Sequence, residues 1–176
     1  MEFLDNRTGK TPIYKTEFDI RIDDKYLICH YKSFHSSFYS YSNKFNDDIY
    51  KGDVVEIFID VGINNHYFEI EISPNNTVFI GDIYNDGNKR ILTKINEQFI
   101  QSEVKLFKDY YDTIIKIPLN KINYDQNKGI KYNAFRIETD NGISEKHLFA
   151  LNPTLSNTFH KKECFINFII PGNTKW

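Results

Sequence analysis

The chain has 176 residues, 24 of them acidic and 22 basic, and this near-balance leaves no electrostatic footprint for nucleic acid and no basic arm for a membrane surface. Hydrophobic residues make up 40 %, with 12 Tyr and 15 Phe, a composition that suits one aromatic-rich β domain over 1–176 rather than a disordered chain. No apolar run is long enough for a signal sequence or a membrane span, so the expected location is the cytoplasm, or outside the cell if a leader has been trimmed. Cys29 and Cys164 lack metal-ligand spacing and read as reduced core residues.

In chain order, Thr16 to Ile22 alternates Phe18, Ile20 and Ile22 against Asp19 and Arg21, and Asp23-Asp24 turns it into a strand from Tyr26 to Lys32. The polar stretch from Ser33 to Tyr50 has no sustained period and is long for a connection, which marks a functional loop. A central hairpin follows from Gly52 to Ser73. Val55, Ile57 and Ile59 share one face with Phe68, Ile70 and Ile72, while Glu56, Phe58 and Asp60 share the other with Tyr67, Glu69 and Glu71. Ser73-Pro74-Asn75-Asn76 is a turn into a short strand from Thr77 to Ile83. Further strands are expected near Phe99 to Val104, at Asp112 to Pro118, at Lys131 to Thr139, over Glu145 to Leu151 and at Cys164 to Ile170, with Asp140-Asn141-Gly142 as a hairpin turn. Many short strands without a helical period predict an all-β, antiparallel sandwich of jelly-roll or immunoglobulin-like two-sheet architecture.

The carboxylates of the central hairpin call for compensation, because acidic residues are poor strand formers and like charges across a pair repel. Arg136 alternates with Phe135 and Ile137, which predicts that it points with Glu138 onto the polar face and meets Glu56, Glu69 and Glu71 there. Such a face, rimmed by Tyr50 and Tyr67, fits a sugar, whose hydroxyls pair with fixed donors and acceptors and whose ring packs on aromatics. Glu69 and Glu71 lie two apart on one strand, about 7 Å between Cα atoms, which also admits a carboxylate-pair hydrolase. Asp82 and Asp86 offer hard oxygens in what reads as a loop, and a structural Ca²⁺ is expected there if one is bound.

Three segments together resemble the family nine carbohydrate-binding modules and their stand-alone relatives within the DOMON-like β-sandwiches. They are Tyr50 to Asp60 with Tyr67 to Asn75, Tyr132 to Ile137, and Ala150 to Thr154 with Phe159-His160 and Glu163 to Phe165. The resemblance implies a non-catalytic module that binds the ends of mono- or oligosaccharide chains between two aromatic clamps, with calcium in some members. Tyr50 stands at the first clamp, Phe149 and Leu151 in the region of the second, and Trp176 is the lone tryptophan; Lys162 and Ile166 replace a usual Pro and Gly. Glu56 matches the family glutamate, Arg136 matches the stand-alone relatives, and Asn152 and His160 are expected at the edge of the site. Two other classes stay open: a saccharide-active hydrolase or lyase using the acidic face, and a protein-interaction scaffold with a vestigial cleft.

Overall fold

The computed structural model describes residues 1–35, 37–140, 142 and 146–168. Among them the strands are β1 (Leu4–Asp5), β2 (Thr16–Ile22), β3 (Tyr26–Phe34), β4 (Val54–Asp60), β5 (His66–Ile72), β6 (Val78–Asn85), β7 (Arg90–Lys94), β8 (Gln101–Leu106), β9 (Tyr110–Pro118), β10 (Lys131–Glu138), β11 (His147–Ala150) and β12 (Ile166–Asn167). They form two antiparallel sheets, β1-β11-β10-β4-β5-β6-β7 with β12 also on β10, and β2-β3-β9-β8. The expected sandwich is therefore present.

The alternation rule sets the inner faces. Val55, Ile57 and Ile59 pair with Ile72, Ile70 and Phe68 on the larger sheet and pack toward Phe18, Leu27, Cys29, Tyr31, Ile115 and Ile117 of the smaller one. Cys29 is buried, Cys164 half-buried, and both are free thiols. Turn chemistry explains the hairpin ends: Gly62 and Asn65, then Asn76, hold positive φ, which glycine and asparagine tolerate best.

The larger sheet buries apolar side chains on its second face as well. Phe58, Tyr67, Phe79, Ile83, Phe135, Ile137 and Leu148 form a separate buried cluster, roofed by Phe159 and Phe165 from the irregular segment after β11. Phe159 stacks on Phe135 at 4.2 Å between ring centroids, and Phe165 meets Tyr67 edge-on at 5.2 Å. Burying each such phenylalanine contributes about 1.5–3 kcal/mol, enough to hold a segment with little regular structure in place.

Two elements escape the sequence pattern. β7 is exposed along its length, so no burial period marks it, and β1 is only two residues long. The last expected strand is shorter: a 3-10 turn occupies Lys162–Cys164, β12 covers Ile166–Asn167, and 169–170 lie outside the described residues, as do Asn141, Glu145 and Trp176.

Candidate functional site

The register of β4, β5 and β6 places the hairpin carboxylates together. Glu56 lies opposite Glu71, which lies opposite Phe79, and Glu69 lies opposite Phe58 and Gly81. Side chains two apart on a strand share a face, so Glu56, Glu69 and Glu71 converge on the outer face of the larger sheet, with ligand atoms all within 4.8 Å of one another. They are 2 %, 8 % and 2 % exposed, a degree of burial rare for acids without an ion partner. They line the floor of a cleft of about 480 Å³, with Phe79, Ile83 and Phe159 as apolar wall and Tyr50, Arg90, Lys146 and His160 around it.

The loop before β4 sets the rim. The Asp53 carboxylate accepts from the Tyr39 backbone N–H at 2.6 Å and from the Thr139 N–H and hydroxyl at 2.8 and 2.6 Å, which ties this loop to the end of β10. Gly52 lies so close to the loop that a Cβ there would meet the backbone of Tyr39 and Tyr41 at 2.7 Å. Tyr50, just before it, is 41 % exposed; its carbonyl accepts from Lys146 Nζ at 2.7 Å, and the same ammonium sits 4.7 Å from its ring centroid.

Electrostatics at the floor are dominated by burial. Desolvation, then repulsion from Glu69, pushes the Glu56 carboxyl well above the usual carboxylate range, against a smaller pull from Lys146. Burial followed by the charges of Glu56 and Glu69 does the same to Glu71. Burial raises Glu69 to about 7, moderated by a hydrogen bond with Glu71 and by Arg90. Burial lowers Lys146 below the usual lysine value, with Glu56 and Glu71 acting the other way. Near neutral pH the floor therefore holds carboxylic acid groups able to donate as well as accept. One Glu71 oxygen, Oε2, is buried with no hydrogen-bond partner.

The expectation for Arg136 and Glu138 is corrected here. Arg136 lies opposite Val55 and Phe149 and points between the sheets, while Phe135 lies opposite Glu56 on the carboxylate face. Arg136 is fully buried, donating to the carbonyls of Lys15 and Phe34 at 3.2 and 3.3 Å, to Thr16 Oγ1 at 3.2 Å and to the Glu138 carboxylate. Its guanidinium also packs 5.6 and 5.7 Å from the rings of Tyr111 and Phe149. Burial raises the Glu138 carboxyl to about 8, outweighing the pull of Arg136. The parity argument fails because both faces of this sheet are covered, so Phe135 and Ile137 do not mark the inner one.

Of the other expected residues, Tyr50 and His160 line the cleft. Tyr67 is buried, and its hydroxyl bonds His160 Nδ1 at 2.7 Å, so it positions the histidine rather than the rim. Asn152 lies outside the cleft lining and ties Asn133 of β10 to the last segment, its amide donating to the Cys164 carbonyl at 2.9 Å. Phe149 faces the core between the sheets and Leu151 packs against it, so neither forms a second clamp on the cleft. Asp82 is not in a loop: it sits within β6 opposite Phe68, bonded to His66 Nδ1 at 2.9 Å. Asp86 caps its own turn, accepting from the Asn88 and Lys89 N–H groups. Neither belongs to a carboxylate or histidine cluster tight enough to share an ion among the described residues; those clusters are Glu56/Glu69/Glu71 and His35/Glu138/Asp140. Sequence reasoning missed Arg90 and Lys146, which carry no periodic signal. Phe79 was within reach, since it alternates with Val78 and Ile80 on β6.

The molecule is thus a β-sandwich with a concave polar site on the outer face of one sheet. Its architecture is that of the family nine carbohydrate-binding modules. A family nine module from Caldicellulosiruptor kristjanssonii in complex with glucose superposes with a TM-score of 0.67 at 15 % identity, covering 98 % of this chain and 85 % of that one. The cellotriose complex of such a module from the same organism gives 0.69 at 14 % identity, covering 99 % and 84 %. A Bacteroides uniformis protein proposed to bind carbohydrate gives 0.75 at 16 % identity, covering 95 % and 85 %. In sequence, 113 residues are 32 % identical to a protein of Arthroderma benhamiae described as extracellular; the match spans 56 % of this chain and about half, 51 %, of that protein. No protein-family model matches the sequence. No helix among the described residues is long and apolar enough to cross a membrane.

Proposed function

We propose that the protein is a single-domain, non-catalytic carbohydrate-binding module that takes one or two sugar units of a glycan end into the cleft over Glu56, Glu69 and Glu71. The observation that carries this reading is the cleft itself, lined by three converging, buried carboxyl groups and by the half-exposed ring of Tyr50. Protonated carboxyls can both give and accept hydrogen bonds, which matches the vicinal hydroxyls of a pyranose. Phe79, Phe159 and Tyr50 offer the apolar surface that packs against the C–H face of the ring. The shared fold with modules solved in complex with glucose and cellotriose supports the same reading. Likeness over part of its length to an extracellular protein supports a location outside the cell.

A hydrolase needs an acid and a base held on either side of a scissile bond. Here the three carboxyls lie within 4.8 Å of one another and Glu69 shares a hydrogen bond with Glu71, an arrangement suited to holding hydroxyls. Calorimetric titration with a panel of mono- and oligosaccharides, paired with a reducing-sugar release assay, tests the proposal. Saturable heat without product supports it. Release of sugar, or no heat with any glycan, overturns it.

A further inference from the structure

The carboxylate floor has more negative capacity than its surroundings balance. Arg136, the side chain the sequence offers as its counter-charge, is spent between the sheets; of the three cations that line the cleft, Arg7 donates to Asn157 and acts on Asp5, while those acting on the floor are Lys146, toward Glu56 and Glu71, and Arg90, toward Glu69. Lys146 is already committed, donating to the Tyr50 carbonyl and lying against the Tyr50 ring. Glu71 Oε2 is left in the cleft floor, buried and without a hydrogen-bond partner, and a buried polar atom left unpaired carries a desolvation cost that a ligand donor would remove. From this geometry we infer that the cleft selects a sugar carrying a protonated amine, a hexosamine or the end of a glucosamine-type chain, whose ammonium sits among Glu56, Glu69 and Glu71. The inference rests on the carbohydrate-binding reading and names the ligand class for it.

An ammonium has three donors and no acceptor, and three carboxylates converging within 4.8 Å match that set one to one. Charge-assisted bonds of this kind are the stronger ones, above all in a site that excludes water. A bare divalent cation fits the site less well. It needs six or more oxygens drawn in to about 2.3–2.6 Å, next to the resident ammonium of Lys146 and in a cleft of about 480 Å³ roomy enough for a sugar. An amine-bearing ring fills that space and places its charge on the floor while its C–H face meets the apolar lining of Tyr50, Phe79 and Phe159.

The test is calorimetric titration of the intact protein at about pH 6.5, where an amine of ordinary basicity is protonated, with glucosamine, its β-1,4 dimer, glucose, N-acetylglucosamine and calcium chloride alone. The amino sugars should bind about tenfold to a hundredfold tighter than the neutral and N-acetylated ones. Binding should release protons, seen as a heat that varies with the ionisation enthalpy of the buffer. Glu71→Gln should erase the preference, and Lys146→Met, which removes the resident positive charge, should enlarge it; the second variant decides the matter if the first does not fold. Equal or tighter binding of glucose or N-acetylglucosamine overturns the inference and leaves the carbohydrate reading standing. Saturable calcium binding that is lost in Glu71→Gln and blocks the amino sugar overturns it in favour of a metal site. Absence of heat with every sugar sinks both readings together.

Discussion

Replacing Glu69 by Gln probes the buried carboxylate floor most directly. The substitution keeps the shape and a hydrogen-bonding amide but removes the ability to ionise. In the folded protein this carboxyl titrates at about 7, against 4.5 for an unburied glutamate, with burial as the main cause. Between those two values the folded state holds a proton that the unfolded chain has lost, so this group's contribution is fully present below about 4.5 and falls away as the pH rises through 7. The gap of about 2.5 pH units, at about 1.4 kcal/mol each, makes the ionisation of Glu69 cost at most about 3–4 kcal/mol of stability at alkaline pH. Glu56 and Glu71 gain as well, since each loses a like charge held close by. Glu138, raised to about 8, acts with the same sign but faces the other side of the sheet, so it cancels in the comparison. Urea denaturation at about pH 5 should give wild type and variant stabilities within about 1 kcal/mol, and at about pH 8 the variant should be more stable by about 1–3 kcal/mol. A difference that is the same at both pH values, or that turns against the variant at the higher one, would refute the account of a desolvated, mutually repelling triad.

Tyr50→Ala should weaken sugar binding about tenfold in calorimetry and leave the melting temperature nearly unchanged, because the ring is 41 % exposed and, in the proposed site, packs on the ligand. Arg136→Ala should act in the opposite way, lowering stability by about 3–5 kcal/mol in denaturant titrations by orphaning Glu138 and two carbonyls; a folded variant that loses affinity selectively would contradict its placement between the sheets. Gly52→Ala should cost about 1–3 kcal/mol and reduce affinity as well, since the added methyl meets the Tyr39 and Tyr41 backbone at 2.7 Å and displaces the loop that carries Tyr50. An unchanged melting curve and affinity would show that the loop yields freely.

The sequence by itself determined the strands and much of the site. Period-two alternation placed β2, β4, β5, β9 and β10 within a residue or two of where they lie, while the register that pairs Val55 with Ile72 and Glu56 with Glu71 is seen in the folded sheet. Alternation also put Glu69 and Glu71 on one face, because residues two apart on a strand cannot do otherwise, and Glu56 of β4 joins them by lying opposite Glu71. Tertiary structure decided which face of β10 looks inward. Alternation sorts side chains into two sets but does not name the buried one when both are covered, and here the segment carrying Phe159 and Phe165 roofs the outer face as firmly as the second sheet closes the inner. Arg136 therefore went inside, where three backbone or hydroxyl oxygens and Glu138 accept from its two terminal nitrogens while Nε has no partner among the described residues, and the cations acting on the carboxylates are Lys146 and Arg90. Those two cations reach the cleft from elements with no burial period, so only the folded chain could bring them there.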